Sequence, residues 1–231
     1  MKFTPKKFML KSILTAAVLG VAASVANAAI VVPPSLNPGD KYHLAFVSST
    51  SRNALSSDIA DYNAFVQSAA DAAGFGITEG VTWYVLASTS AVDARDNAVV
   101  GAATPVYLLN GTTKVADGFA DFWDGSLDNV LNLKEDGVTS YGGGTRVFTG
   151  SDEIGGAKSS FGEWLGNGGN TAAGDPTSIT RYMDASGTPS GSAVLPFYAL
   201  SQELTVAPEP GTMGLLGLAS GALLLRRRRK N

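Results

Sequence analysis

The sequence predicts an α+β protein in which short strands and a few short helices form one body between two terminal segments of different composition. Three observations support this class. Residues Asp58–Ala73 have the apolar spacing of a helix, and several short runs rich in β-branched and aromatic residues indicate strands. The third is Gly150–Gly191, a polar and glycine-rich stretch without periodicity, which indicates long loops. No internal repeat is visible, so we expect a single body over residues 42–207.

The elements follow in chain order. Residues 29–41 contain three prolines and are expected to be an extended lead-in, and Tyr42–Val47 is the first strand. Ser57-Asp58 supplies the cap of the one clear helix, which should end at Gly74. Asn110-Gly111 is typical of a hairpin turn. The remaining predictions are strands at Val81–Ala87, Val106–Leu109, Lys114–Ala116, Val147–Thr149 and Phe197–Leu204, and short helical turns at Ala91–Asn97 and Phe119–Trp123.

Composition excludes several classes of function. Only 16% of the 231 residues are charged, and the chain contains no Cys and a single His. Residues 29–207 hold 8 basic and 19 acidic side chains, a net charge of −11 with the histidine neutral, which does not suit a protein that binds phosphates through a basic face. The missing cysteines exclude disulfides, thiolate metal sites and cysteine nucleophiles, and one histidine excludes a multi-histidine metal site. We therefore expect an acidic body without a nucleic-acid partner.

Residues 1–28 have the pattern of a secretory signal peptide. Four lysines precede an uncharged run, Ser12–Val25, and Ala26-Asn27-Ala28 follows it. The alternative is an N-terminal membrane anchor, but a run of about 14 residues is shorter than the roughly 20 that a spanning helix needs. We expect signal peptidase to cleave after Ala28, so that the mature protein begins at Ala29.

The C-terminus carries three consecutive features. Pro208-Glu209-Pro210 precedes an apolar run, which predicts a transmembrane helix over 211–225, and a basic tail occupies 226–231. Such a helix would be about 22 Å long, short for a bilayer core of about 30 Å, although flanking side chains can compensate. The alternative, a buried amphipathic helix, does not fit a run that is apolar on all sides. The side chains expected to stop transfer and to remain cytoplasmic are Arg226, Arg227, Arg228, Arg229 and Lys230.

Residues 208–231 with these features resemble the PEP-CTERM protein-sorting signal. The resemblance implies that exosortase, a membrane transpeptidase, processes the chain at or near Pro208, Glu209 and Pro210. It also implies export across the inner membrane of a Gram-negative-type envelope, transient anchoring there, and a final place at the cell surface or outside the cell. Proteins with this signal often occur in producers of extracellular polysaccharide, so an exopolysaccharide is a candidate partner.

The body has a second resemblance, to the C-type-lectin-like fold as it occurs in endostatin-type domains. The strings that carry it are VTWYVLAS, DARDN, TPVYLLNGT, Trp-Asp-Gly at 123–125, RVFTGSD at 146–152 and LPFYALSQEL at 195–204. The resemblance covers Tyr42–Leu204 and implies that the closing strand lies beside the opening strand Tyr42–Val47. The chain has neither the cysteines nor the Glu-Pro-Asn string of calcium-dependent lectins, so lectin activity does not follow from the fold.

An acidic cluster is the first candidate for chemistry. Asp117, Asp121, Asp124 and Asp128 lie within twelve residues of a glycine-broken segment and could supply oxygen ligands to calcium. The spacing differs from that of an EF-hand. The alternative is a solvated acidic loop in which the side chains hold backbone turns.

Aromatic and titratable side chains supply the other candidates. Trp123 and Trp164 lie in glycine-flanked segments, so we expect them to be partly exposed and able to contact a glycan, whereas Trp83 is expected in the core. The cluster Asp93–Asn97 is expected to cap a helical turn and pin a loop. His43 is expected to be a strand histidine with a hydrogen-bonded ring nitrogen.

Two functions are compatible with these observations. The preferred one is a non-enzymatic surface or matrix protein with a binding or structural role linked to exopolysaccharide. The alternative is an envelope enzyme that acts on polysaccharide, in which two nearby carboxylates would serve as a glycosidase pair. No cofactor other than a candidate calcium ion is expected.

Overall fold

The structure, a computed structural model, describes residues 31–73, 80–185 and 187–208. Several predictions from the sequence lie outside these residues. They are the signal peptide with Ala26, Ala28 and Ala29, the sorting residues Glu209 and Pro210, the helix over 211–225 and the basic residues Arg226, Arg227, Arg228, Arg229 and Lys230. Among the residues that the structure describes, no helix has the length and apolarity to cross a bilayer.

Short strands and helices alternate along the body, as expected for an α+β protein. The strands nevertheless form a mixed rather than a purely antiparallel sheet, because β1 and β3 run parallel. The elements are β1 (Lys41–Val47), α1 (Ile59–Ala72), β2 (Trp83–Val85), α2 (Ala94–Asn97), β3 (Val106–Leu108), β4 (Lys114–Ala116), α3 (Phe119–Phe122), β5 (Val147–Phe148), β6 (Ala173–Gly174), β7 (Tyr198–Ser201) and β8 (Leu204–Thr205).

Strand β1 is the centre of the main sheet, whose order is β2-β7-β1-β3-β4. The closing strand β7 pairs antiparallel with β1, with Phe46 opposite Ala199, and β8 pairs with the first residues of β1. The predicted pairing of the closing and opening strands is therefore confirmed. The predicted strand Phe197–Leu204 is divided in two between Ser201 and Leu204.

Helix α1 begins and packs as its sequence predicts. The Asp58 carboxylate accepts a hydrogen bond from the Ala60 amide at 2.9 Å, which satisfies one of the free amides of the first turn. One face of the helix, including Tyr62 and Val66, is buried against the sheet. On the same helix, Gln67 accepts from the amide of Trp83 at 2.9 Å and Asn63 from that of Val85 at 2.8 Å. These side chains cover the backbone groups that the edge strand β2 would otherwise leave open to another chain.

The core is built around aromatic side chains from distant parts of the chain. Phe46 packs edge-on against Trp83 with ring centroids 4.8 Å apart, which confirms the expected core position of Trp83. Phe197 contacts the rings of Tyr62, Phe65 and Phe148, so it joins helix α1 to strand β5. Residues 42–47 of β1 are all buried, because both faces of the central strand are covered.

The long loop segment is more organised than its composition indicates. It contains β6, which pairs with β5 and was not predicted. Buried hydroxyls hold it to the sheet: the Ser88 and Ser151 hydroxyls lie 2.8 Å apart, and the Thr149 hydroxyl donates to the Met183 carbonyl at 2.6 Å. The second of these contacts satisfies a backbone carbonyl that a buried loop would otherwise leave without a partner.

Candidate functional site

Three of the four predicted acidic residues come together beside β4. The carboxylates of Asp117, Asp121 and Asp128 place one oxygen each within 4.8 Å of the others. Asp124 does not belong to this group, and its carboxylate instead accepts from the Ser126 amide at 2.8 Å. The expectation that all four would form one cluster is therefore wrong, because Asp124 is used to close a local turn.

A lysine lies among these carboxylates. The Lys114 ammonium pairs with Asp117 and lies 3.3 Å from a carboxylate oxygen of Asp128. Its hydrogen bond to Asp117 is the main reason that the pKa of Lys114 is raised, which means that its charged form is favoured there. A calcium ion at this position would have to compete with a cation that the protein already supplies.

The acidic segment also closes the second edge of the sheet. The Asp128 amide donates to the Val115 carbonyl at 2.9 Å, and the Asn129 side chain donates to the Lys114 carbonyl at 2.9 Å. The Asp117 amide donates to Asp121 at 2.7 Å. These bonds account for the cluster as a structural cover for strand β4, in agreement with the solvated-loop alternative.

Trp123 is buried, contrary to the expectation of partial exposure. Only 6% of its surface is accessible, and its ring meets that of Phe122 edge-on at 4.8 Å. The backbone of Gly155 packs closely against the same ring: a Cβ atom added to this glycine would lie 2.4 Å from Trp123 Cε3. A glycan cannot reach the faces of an indole packed in this way, so the expected contact through Trp123 is not available in this arrangement.

Trp164 is partly exposed, as expected, and Phe161, three residues earlier in the chain, is 81% exposed. Both lie in the segment 158–166, here called the aromatic turn. The Gly162 amide donates to the Ser159 carbonyl at 3.2 Å and the Glu163 amide to the Lys158 carbonyl at 2.9 Å. Sequence reasoning overlooked Phe161, because a phenylalanine between serine and glycine gives no sign of whether it points inward or outward.

The aromatic turn is attached to the body at both of its ends. The Leu165 amide donates to the Ser88 carbonyl at 2.9 Å, and the Lys158 amide donates to the Gly150 carbonyl at 3.0 Å. The Lys158 ammonium also pairs with Asp184, and this hydrogen bond is the main cause of its raised pKa. Phe161 is thus exposed on a turn with a defined conformation.

The Asp93–Asn97 cluster pins a loop, as expected, but the Asp93 side chain makes no capping hydrogen bond to the short helix α2 that follows it. Asp93 lies 3.2 Å from the Arg95 guanidinium and accepts from the Ala157 amide at 2.8 Å. Asn97 donates to the Val85 carbonyl at 2.8 Å and so helps to cover the edge strand β2. These bonds give Asp93, Arg95 and Asn97 structural partners.

His43 is a buried strand histidine, as expected. Its Nδ1 donates to the Ser201 carbonyl at 2.9 Å, and the Gly101 amide approaches Nε2 at 3.5 Å. Burial lowers the pKa of this histidine and favours the neutral ring. A small cavity of about 260 Å³ beside it is lined in part by Tyr84 and Glu203.

A cleft between α1 and residues 134–139 was not predicted. Its volume is about 590 Å³, and Phe65 and Ala69 of the helix line one side. Glu135 lines the other side but is buried, and its carboxylate accepts from the Ser49 amide at 2.7 Å and from the Ser49 hydroxyl. No local signal marks Glu135, because its burial depends on a segment 86 residues away.

Comparison with known families identifies one feature of the chain. Residues 206–230 match the PEP-CTERM protein-sorting motif, in agreement with the resemblance of residues 208–231. The match supports export, membrane-associated sorting and processing by an exosortase. No curated protein matches the chain.

Proposed function

We propose that this exosortase-sorted protein is a component of the cell surface or extracellular matrix, and that its body binds polysaccharide without cleaving it. The sorting motif supports export and processing. The observation that carries the binding role is the aromatic turn, which holds the ring of Phe161 in solvent and contains the partly exposed Trp164.

Exposure on an ordered turn is what suits this ring to binding a sugar. An aromatic face is a broad apolar surface with negative electrostatic potential, to which the C–H groups of a sugar ring can stack. Because backbone hydrogen bonds already fix the turn, little conformational entropy would be lost when a ligand binds. Polar groups from Ser159, Ser160 and Glu163 lie next to the two rings in the chain and are available for hydroxyl groups.

The charge of the body favours a neutral polysaccharide over an anionic one. Residues 29–207 have a net charge of −11, and a body of this charge repels anionic polymers. Glu163 lies within the aromatic turn itself, so the repulsion acts at the proposed contact as well as over the whole surface.

A non-enzymatic role is supported by the way in which His43 and Glu135 are already engaged by structural partners. His43 is buried with both ring nitrogens near backbone partners, and Ser49 occupies both oxygens of Glu135. The pairing of the closing strand with the opening strand supports the proposed C-type-lectin-like architecture. Contact with sugar would then be made by the aromatic turn rather than by a calcium-bound loop.

Affinity electrophoresis of the processed protein tests the proposal, with dextran or alginate embedded in the gel as neutral and anionic probes. We expect dextran to retard the protein and alginate to leave it unretarded. Phe161→Ala and Trp164→Ala should abolish the retardation. The matched control is Val138→Ala, which removes a side chain that is 77% exposed on another turn.

Two outcomes would contradict the proposal. One is equal retardation of the wild type and Phe161→Ala, which would separate binding from the aromatic turn. The other is release of reducing sugar from dextran by the protein, which would favour the enzymatic alternative.

A further inference from the structure

The sorting motif begins where the folded body ends. The Val206 amide donates to the Asp40 carbonyl at 2.9 Å, and the Gly39 amide donates to the Val206 carbonyl at 2.9 Å. Val206 is also the first residue of the sorting-motif match. Val206 is therefore both the last residue of the body with backbone partners, among the residues that the structure describes, and the first residue of the motif.

Almost no spacer separates the folded body from Pro208, the first proline of the sorting motif. Pro208 is exposed and lies two residues after Val206, a reach of about 7 Å for extended chain. Leu204 and Val206 are both buried against the body. The residues immediately upstream of Pro208 are thus held by the sheet.

Enzymes that act on peptide segments commonly bind them as extended strands, through backbone groups on both sides of the reacting position. For this chain the upstream groups belong to β8 and Val206, and β1 and the lead-in already occupy them. The same backbone groups cannot serve both partners at once.

We propose that residues 204–208 form the upstream part of the surface that the processing enzyme binds, and that they become available only when β8 leaves β1. This inference rests on exosortase sorting but not on polysaccharide binding. Strand β8 is suited to such a release because it has two residues and lies at the end of the body, where local opening costs least.

A disulfide lock tests whether β8 must leave. Because Val206 donates to Asp40, the neighbouring pair Lys41 and Thr205 is a non-hydrogen-bonded pair of the antiparallel ladder. Such pairs have Cα atoms about 4.5 Å apart, which is within the range for a disulfide. Both side chains are exposed, and the chain contains no Cys, so Lys41→Cys with Thr205→Cys creates a single defined bridge.

The experiment follows conversion of the full-length chain in cells that contain an exosortase, by pulse-chase with an antibody against the tail. We expect the oxidised double variant to be processed at least about tenfold more slowly, as for a step that requires local opening. The reduced double variant, which also lacks the Lys41–Glu203 ion pair, should be processed at the wild-type rate or faster. Leu204→Ala, which weakens the packing of β8, should accelerate processing.

Insertion of a spacer tests whether the disulfide slows processing by blocking access of the enzyme to the residues before Pro208. A Gly-Ser insertion of six residues between Ala207 and Pro208 should restore processing of the oxidised variant, because the inserted chain supplies the upstream groups. The matched control carries the same insertion between Gly142 and Gly143, which are exposed and have open space around them, and it should leave the oxidised variant slow.

Unchanged processing of the oxidised variant, with the disulfide confirmed, would overturn the inference. Continued slow processing after the spacer is inserted before Pro208 would also overturn it. Glu209→Ala tests the sorting motif separately. We expect this variant not to be processed. Normal processing of Glu209→Ala would contradict the role of Pro208-Glu209-Pro210 in sorting and would leave the inference about β8 to the disulfide experiment.

Discussion

The segment around Trp123 and the aromatic turn look alike in the sequence and differ in the structure. Both place a tryptophan among glycines and acidic residues. Trp123 is covered by Gly155 and Phe122, whereas the aromatic turn keeps Phe161 in solvent. The difference teaches that a neighbouring glycine can serve opposite purposes: it lets the backbone press onto a ring in one place and forms a turn that presents a ring in the other.

The largest effect that would test this comparison is on stability. Gly155 and Gly162 both have positive φ, +78° and +67°, so alanine at either should cost about 1–2 kcal/mol in the free energy of unfolding. At Gly155 the new methyl group also meets the Trp123 ring, which adds about 1–3 kcal/mol of overpacking. A Cβ atom added at Gly162 would lie 3.6 Å from the nearest atom of Trp164, which is an ordinary van der Waals contact.

Urea unfolding of Gly155→Ala and Gly162→Ala measures this difference directly. The melting temperatures should differ in the same order, by about 2–4 °C for each kcal/mol. Equal destabilisation of the two variants would mean that the Trp123 ring moves aside easily, and the contrast between the two segments would then be lost.

An intermediate effect concerns Tyr182, whose hydroxyl donates to the Phe122 carbonyl beside Trp123. Tyr182→Phe leaves that carbonyl without this partner and should cost about 1–2 kcal/mol. Phe161→Ala, on the exposed turn, should change the free energy of unfolding by less than about 0.5 kcal/mol.

The cost of Tyr182→Phe should depend on pH. Burial, and then the charges of Asp124 and Asp121, raise the pKa of Tyr182, so the folded state favours the neutral phenol. This contribution is complete below the ordinary pKa of about 10 and is lost as the pH rises through the folded pKa. The difference between wild type and variant should therefore stay constant up to about pH 9 and shrink as the pH rises above about 10 in urea unfolding. A difference that grows over this range would contradict the assignment.

The smallest expected effect is that of calcium on the acidic residues near Trp123. Since Lys114 already pairs with Asp117 and Asp128, about 1 mM calcium should raise the melting temperature of the wild type by less than about 1 °C. Lys114→Met leaves the three carboxylates without this cation and should give a larger shift.

Thermal melting with calcium against chelator provides the measurement, and Asp124→Asn is the control because Asp124 lies outside the group of three. A shift of several degrees in the wild type that disappears in Asp121→Asn would establish a calcium site. It would also make the Trp123 segment, rather than the aromatic turn, the place where the body binds a ligand.

Local signals account for the parts of the body that the sequence predicted well. Helix α1 follows from apolar spacing and from Asp58, whose carboxylate caps a helix that begins at the next residue. The hairpin of β3 and β4 follows from Asn110-Gly111, where the Asn110 side chain accepts from the amides of Thr112 and Thr113 at 3.0 Å each. In both cases the interacting groups lie within a few residues of one another.

Contacts between distant segments explain what the sequence did not predict. Trp123 is buried by a glycine that follows 32 residues later. Strand β6 depends on a partner strand 25 residues earlier, and Glu135 is buried by Ser49. Nothing in the neighbouring residues encodes these contacts, because they arise only when the whole body packs.

The amino-acid sequence by itself determined the sorting of this protein, since the apolar run and the basic tail after Pro208-Glu209-Pro210 act as a linear signal. It also determined the α+β class and the principal elements, through periodicity, capping and turn chemistry. Only the tertiary structure decided which aromatic rings reach solvent and how near the last paired residue, Val206, lies to the exposed Pro208. The physical reason is that burial and strand pairing are properties of surfaces in contact, which no single segment of chain specifies alone.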